Sequence, residues 1–539
     1  MRPDTEAHGS LARGAALISA ATAVSRITGF LRVVAVAAAL GTTFLANTYQ
    51  TANTTPNVLF ELVAAGVLTS IFVPTFVDYL VKEQREQGWK AANALTSVAL
   101  VALTALALLV ALAAPVLMRV LTIGVSDQTL REEEIILGTR FLRLFAPQIV
   151  FYGVGMIMAA ALHAYRRFAL PAIAPIFNNV VVIIVYVVYA VTTSDRSPTV
   201  EGITTGETIL LGAGTTAGVL AMTVCLIPPL RRIGWTFRFR FDPSHPAVRK
   251  AMRLGVWALG YAGGYQAGLI VVLLLANRVE GGVAAYQWAF TFFYVPHALF
   301  AAPIFHVLFP AMSEHVARGE EDALMGRLRD GLGMLAFILV PVGAALVVTA
   351  SLIARVTLEY GAMTGAGAAL VGRVLAAFAL GLPTYSAFLV LTRAYYALGD
   401  TKRPTLINAL TIALASASGA LLFFSVNEEW AVASLALAHS IAFAVGAYVM
   451  NRDLGRRGSR VGSTALMASV TRALVVGGGA ALVMATVRYV LPDSSKVSAL
   501  LNLIVTVGAG GAFYLFAMAR MGAQELPRIR GAMRRAGAR

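Results

Sequence analysis

The sequence predicts an all-α polytopic membrane protein of about 14 transmembrane helices, arranged as two six-helix lobes in a parallel pseudo-twofold repeat plus two C-terminal helices. Three observations lead there. Of 539 residues, 58% are hydrophobic and 13% charged, where soluble domains are about a quarter charged. Apolar runs recur at the length of roughly 20 residues that a helix needs to cross about 30 Å of hydrocarbon. Lysine and arginine gather in alternate loops, which is the positive-inside pattern.

The first span, 11–41, is interrupted by Arg26 and lacks a convincing cleavage site, so it reads as a retained helix rather than a signal peptide. The second, 47–81, carries Pro56. Spans 91–118, 136–162, 168–193 and 206–230 are built on the runs Leu95–Leu117, Ile149–Leu162, Val180–Val191 and Ile209–Ile227. Spans 248–277, around Leu269–Ala276, and 283–313 follow, then 331–352 on Met334–Leu352. The series closes with 370–398, 403–425, 430–450, 464–490 and 497–520.

The net charge of +16 would suggest nucleic acid in a soluble protein. Here it lies in short loops: Lys82, Arg85 and Lys90; Arg166 and Arg167; Arg231 to Arg253; Lys402 and Arg403; Arg452 to Arg460. No domain is left to carry a nucleic-acid function. The intervening loops, 192–207 and 425–430, are poor in positive charge or acidic, which puts both termini in the cytoplasm. The expected organisation is an N-terminal lobe (1–230), a basic cytoplasmic linker (231–247), a C-terminal lobe (248–450), two appended spans (464–520) and a basic tail (521–539) able to touch anionic lipid. Cys225 is the only cysteine, so there is no disulfide framework or thiolate metal site.

The two lobes read as a duplication. The segment 54–88 has a proline inside a span, a long apolar run, then Phe/Val-Pro and a charged exit; 293–322 repeats that order about 240 residues later. "HAYRRFALPAIAPIFNN" (163–179) is echoed by "YYALGDTKRPTLINAL" (395–410). Repeats that both begin and end in the cytoplasm are parallel, and duplicated lobes around a central cavity are a common transporter plan. Pro56, Pro147, Pro296 and Pro383 lie within spans, where each removes a backbone bond and bends the helix. They serve either as hinges or as static kinks.

Candidate site residues concentrate in "SRITGFLR" (25–32). An arginine at a helix centre in lipid costs roughly 2.5–3.5 kcal/mol on insertion scales. Arg26 and Arg32 stand about 120° apart and about 9 Å along the axis, with Ser25, Thr28 and Gly29 between them. So broad a polar sector must face protein or water. A guanidinium fork grips phosphate bidentately, making both arginines candidate contacts for an anionic ligand; for Arg32 the alternatives are snorkelling or pairing with Glu61. Glu61 is either an arginine's ion-pair partner, the favoured reading, or a titrating group. Asn47, Asn53 and Asn57 form a polar string along the second span, and Gln266 and Gln287 are uncharged candidates from the second lobe. Gly29, Pro56 and Pro296 are the candidate hinge or kink positions.

Enzyme signals are absent. His297, His306 and His315 are nine apart and so fall on opposite helix faces, there is no HExxH, and Gly212-Ala-Gly214 has no preceding strand. No catalytic residue, metal site or cofactor is expected. Gly260, Gly264 and Gly268 form a small-residue ridge for close helix contact.

"SRITGFLR", "PNVLFELVAAGVLTSIFVPTF" and above all "ALHAYRRFALPAIAPIFNN" resemble the MurJ (MviN) family of lipid II flippases in the MOP superfamily, over about residues 15–520. The resemblance implies a V-shaped, two-lobed bacterial plasma-membrane protein. It would carry a polyprenyl-pyrophosphate-linked peptidoglycan precursor to the outer leaflet by alternating access, with spans 13 and 14 as a groove for the tail. Arg26 and Arg32 match the family's two first-helix cavity arginines. Asn47 stands where the family has an acidic residue, Phe60 and Glu61 where it has an arginine pair, and Thr291 near its arginine in span eight. The acidic ligands of the family's C-lobe sodium site have no counterpart that can be placed. A MOP-type flippase for another polyprenyl-linked glycan is the alternative. The expected partners are the glycan lipid, membrane lipids and cell-wall synthesis proteins, for a monomer driven by an ion or by the membrane potential.

Overall fold

A computed structural model describes residues 4–64, 85–456, 464–527 and 531. The C-terminal part of the second expected span (65–81), part of the basic loop 452–460 and most of the basic tail lie outside those residues. The first compact unit comprises Met1–Val283 and Tyr360–Met363, the second Ala284–Glu359 and Thr364–Arg539. In the first unit the helices are α1 (Asp4–Leu40), α2 (Phe44–Ala64), α3 (Arg85–Leu121), α4 (Gln128–Phe145), α5 (Gln148–Ala164), α6 (Ala169–Thr192), α7 (Thr205–Val224), α8 (Ile227–Arg232) and α9 (Pro246–Ala276). The second contains α10 (Gly282–Pro296), which starts within the first unit, a π-helical turn (His297–Ala301), α11 (Ala302–Ala317), α12 (Glu321–Leu358), α13 (Gly365–Ala379), α14 (Leu382–Ala397), α15 (Lys402–Ser425), α16 (Glu428–Arg456), α17 (Thr464–Val490) and α18 (Lys496–Arg520).

Among the described residues 11 helices are long and apolar enough to cross a membrane, or 12 with the pair α13–α14, bent by 48°, taken as one. Two of the 14 expected spans fall short of that test: 47–81 runs into undescribed residues, and 248–277 retains the short apolar helix Gly263–Ala276. The first unit extends to Val283, with α9 packed on its α2 and α3.

The duplication is visible in the elements. Each unit has a long helix (α3, 37 residues; α12, 38), then a broken one (α4–α5; α13–α14), then a 24-residue helix (α6; α15). At the first break Pro147 lacks an N–H, leaving carbonyls of α4 without an intrahelical donor. The Thr216 hydroxyl of α7 donates to Leu144 O at 2.7 Å. At the second break, before Pro383, the Ser440 hydroxyl of α16 lies 2.8 Å from Ala377 O and 3.2 Å from Phe378 O. In each unit a hydroxyl from a following helix donates to a carbonyl beside the break.

The end of α1 is tied to the segment 360–363. Ala362 N donates to Ala38 O at 2.8 Å, and Gly41 (φ +60°) and Gly361 (φ +57°) sit at that contact. A Cβ at Gly41 would lie 2.5 Å from Ala362 O, so glycine meets both a left-handed backbone and a close approach. In the second unit α17 and α18 pack on α12 through Phe337, Val476, Met484, Tyr514 and Met518, and Tyr514 Oη donates to Phe337 O at 2.9 Å. Leu474, Leu482, Leu501 and Ile504 stay exposed on their other faces, as helices bordered by lipid require.

Candidate functional site

The polar sector of α1 is divided among three surroundings. Arg26 is exposed on the first unit. The wedge beside it, expected to line a cavity, is occupied by α6: Asn179 Nδ2 donates to Thr28 Oγ1 at 3.1 Å and to Ser25 O at 3.3 Å. Thr28 in turn donates to Ser25 O at 3.0 Å. A Cβ at Gly29 would stand 3.5 Å from Asn179 Nδ2, an ordinary van der Waals contact. The Ser/Thr/Gly wedge is therefore a helix-packing surface, and α1 runs through Gly29 as one helix.

Arg32 is half-buried. It lies near enough to Tyr49 on α2, Tyr152 on α5 and Tyr186 on α6 to act on all three phenols electrostatically. Tyr49 shares a 2.6 Å hydrogen bond with Thr215 of α7 and stacks edge-on with Phe141, Phe145 and Tyr186. Arg32 is thus half-buried within electrostatic range of three tyrosines of the first unit, while Arg26 is exposed.

The asparagines separate by role. Asn47 is fully buried; its Nδ2 donates to Val279 O at 2.8 Å and its Oδ1 accepts from Val283 N at 3.0 Å. Expected as a substrate contact, it instead clamps the turn that follows α9, because an Asn amide can satisfy a backbone donor and acceptor at once. Asn53 Oδ1 accepts from the buried Gln148 at 3.5 Å, and Gln148 also donates to Thr216 at 3.1 Å. Asn57 donates to Asn53 O at 3.0 Å. Both remain part-exposed.

Glu61 forms no ion pair with Arg26 or Arg32, contrary to the pairing expected from their shared apolar setting. It accepts a hydrogen bond from Gln266 of α9, joining α2 to α9. Gln266 Oε1 is buried without a donor. Gln287 lies on α10 in the second unit. Pro56 is buried within an unbroken α2, and Pro296 ends α10 where the π-helical turn begins. That turn is held by a 2.9 Å hydrogen bond between His297 Nδ1 and Ser386 Oγ. The Glu61–Gln266 pair and the Asn179–Thr28 bond each join residues more than a hundred positions apart, and sequence spacing carries no signal for such contacts.

A many-span helical chain with duplicated broken helices and arginines set into its first span belongs to the transporter folds. The solved structures agree: a lipid II flippase MurJ in an inward closed conformation matches with TM-score 0.75 at 20% identity, covering 94% of this chain and 99% of that one. An inward-facing multidrug resistance MATE family transporter of the MOP superfamily matches at 0.64 and 12% identity, covering 82% and 96%. The family model described as Lipid II flippase MurJ matches residues 36–506, and the chain belongs to that family. A probable lipid II flippase MurJ of Rhizobium tropici is 28% identical, with 95% of this chain and 93% of that protein covered. The lipid II flippase MurJ of Burkholderia cenocepacia is 26% identical over 74% and 75% of the two chains.

Proposed function

We propose that this protein moves lipid II, the polyprenyl-pyrophosphate-linked peptidoglycan precursor, from the cytoplasmic to the outer leaflet by alternating access. The reading is carried by Arg26: an exposed guanidinium within a membrane span, in a chain that matches the flippase family from residue 36 to 506. A glycan headgroup cannot cross hydrocarbon unaided, since each unsatisfied polar group costs several kcal/mol there. A guanidinium that binds the pyrophosphate repays its own desolvation and lowers that barrier. The protein acts in the bacterial plasma membrane as a monomer with both termini cytoplasmic, alongside cell-wall synthesis proteins and without a cofactor. The membrane potential supplies about 2.3 kcal/mol per charge moved through 100 mV.

Phe60 and Glu61 stand where the resemblance puts an arginine pair, which favours a flippase for another polyprenyl-linked glycan as the second reading. Depletion separates the two: the precursor that accumulates on the inner leaflet is the substrate. Unchanged lipid II accessibility after depletion overturns the first reading.

A further inference from the structure

Glu134, on the second turn of α4, has no exposed surface. Among the described residues its carboxyl meets two side chains, both uncharged: Thr48 Oγ1 of α2 at 3.1 Å from Oε1, and Asn277 Nδ2, just after α9, at 3.4 Å from Oε2. The charged and titratable groups around it go elsewhere. Arg131, on the same helix, reaches Arg119 O of α3, and Glu132 and Glu133 occupy the intervening turn. Tyr49 of α2 bonds Thr215, and Glu207 of α7 pairs with Arg196. Arg278 and Glu280 follow Asn277, and neither pairs with Glu134. A buried carboxylate without a cation is costly, and within a membrane span such a group marks function by default.

The donor count favours a neutral carboxyl. Thr48 has one hydroxyl hydrogen, and its Oγ1 lies 2.9 Å from Phe44 O as well as 3.1 Å from Glu134. If Glu134 were ionised, two acceptors would compete for one hydrogen. Asn277 Oδ1 is buried beside them, also without a donor. A proton on Glu134 resolves the conflict: the carboxyl donates to Thr48 and Thr48 donates to Phe44 O.

We propose that Glu134 is a proton-binding site of the transport cycle, holding its proton while Asn277 packs against it and releasing it when that contact opens to water. The second half of this statement rests on the flippase reading; the protonation does not. The first test is infrared spectroscopy of the full-length protein at neutral pH. The wild type should show the carbonyl stretch of a protonated carboxyl that Glu134→Gln removes and Glu134→Asp shifts. A spectrum unchanged in both variants overturns the site, as does loss of the band when sodium replaces choline in the buffer, which would make it a cation site. The second test is lipid II flipping in proteoliposomes under an imposed pH gradient. Wild-type net flux should respond to the gradient and Glu134→Gln flux should not. An equal response by the variant overturns the coupling while leaving flipping itself intact.

Discussion

Asn179 on α6 holds Thr28 on α1 by a 3.1 Å hydrogen bond that fills the gap between Arg26 and Arg32. The two arginines therefore face different surroundings although they share one helix. Arg26 is at the surface of its unit, and Arg32 is half-buried within electrostatic range of Tyr49, Tyr152 and Tyr186.

From this division, Arg26→Ala should abolish complementation when it is the sole copy, with its amount in the membrane unchanged. Arg26→Lys should restore part of it, since an ammonium keeps the charge but not the bidentate fork. Normal growth of the alanine variant would remove Arg26 from the site.

Asn179→Leu leaves the Thr28 hydroxyl and Ser25 carbonyl without their shared donor. Losing a partner of buried polar groups costs about 1–3 kcal/mol. The thermal midpoint of the purified protein should fall accordingly, and an unchanged midpoint would show that the bond does not hold α1 to α6.

Gln266→Leu strips Glu61 of its partner on α9, whereas Glu61→Gln keeps two amides able to pair. Because Glu61 is exposed, the leucine variant should lose only the net worth of the bond, about 1 kcal/mol, and the glutamine variant less. Thermal unfolding of the two side by side reads the difference; equal midpoints would contradict the pairing.

Gly41→Ala places a methyl group against Ala362 O on a backbone with φ of +60°. The left-handed conformation alone costs a non-glycine residue about 1–2 kcal/mol, and the clash adds to it. The variant should lose thermal stability and membrane level, while Gly522→Ala, at φ +63° with open space, should pay the conformational cost alone.

The sequence by itself determined the all-helical class, the order of the spans, the duplication and the family, because these depend on local composition and on patterns that recur along the chain. Apolar run length sets a span whatever it packs against, and "HAYRRFALPAIAPIFNN" identifies the family without any contact being known. Tertiary structure decided what each polar side chain does inside that frame. The sequence pattern makes Asn47 a ligand candidate, and the fold makes it a clamp on Val279 and Val283; Glu61 reads as an arginine's partner and holds Gln266; of three consecutive glutamates Glu134 is the buried one, against Thr48 and Asn277. In each case the deciding partner is at least 86 residues away. The role of a polar group buried in a membrane protein is set by which donor or acceptor reaches it, and that is a property of helix packing rather than of its neighbours in the chain.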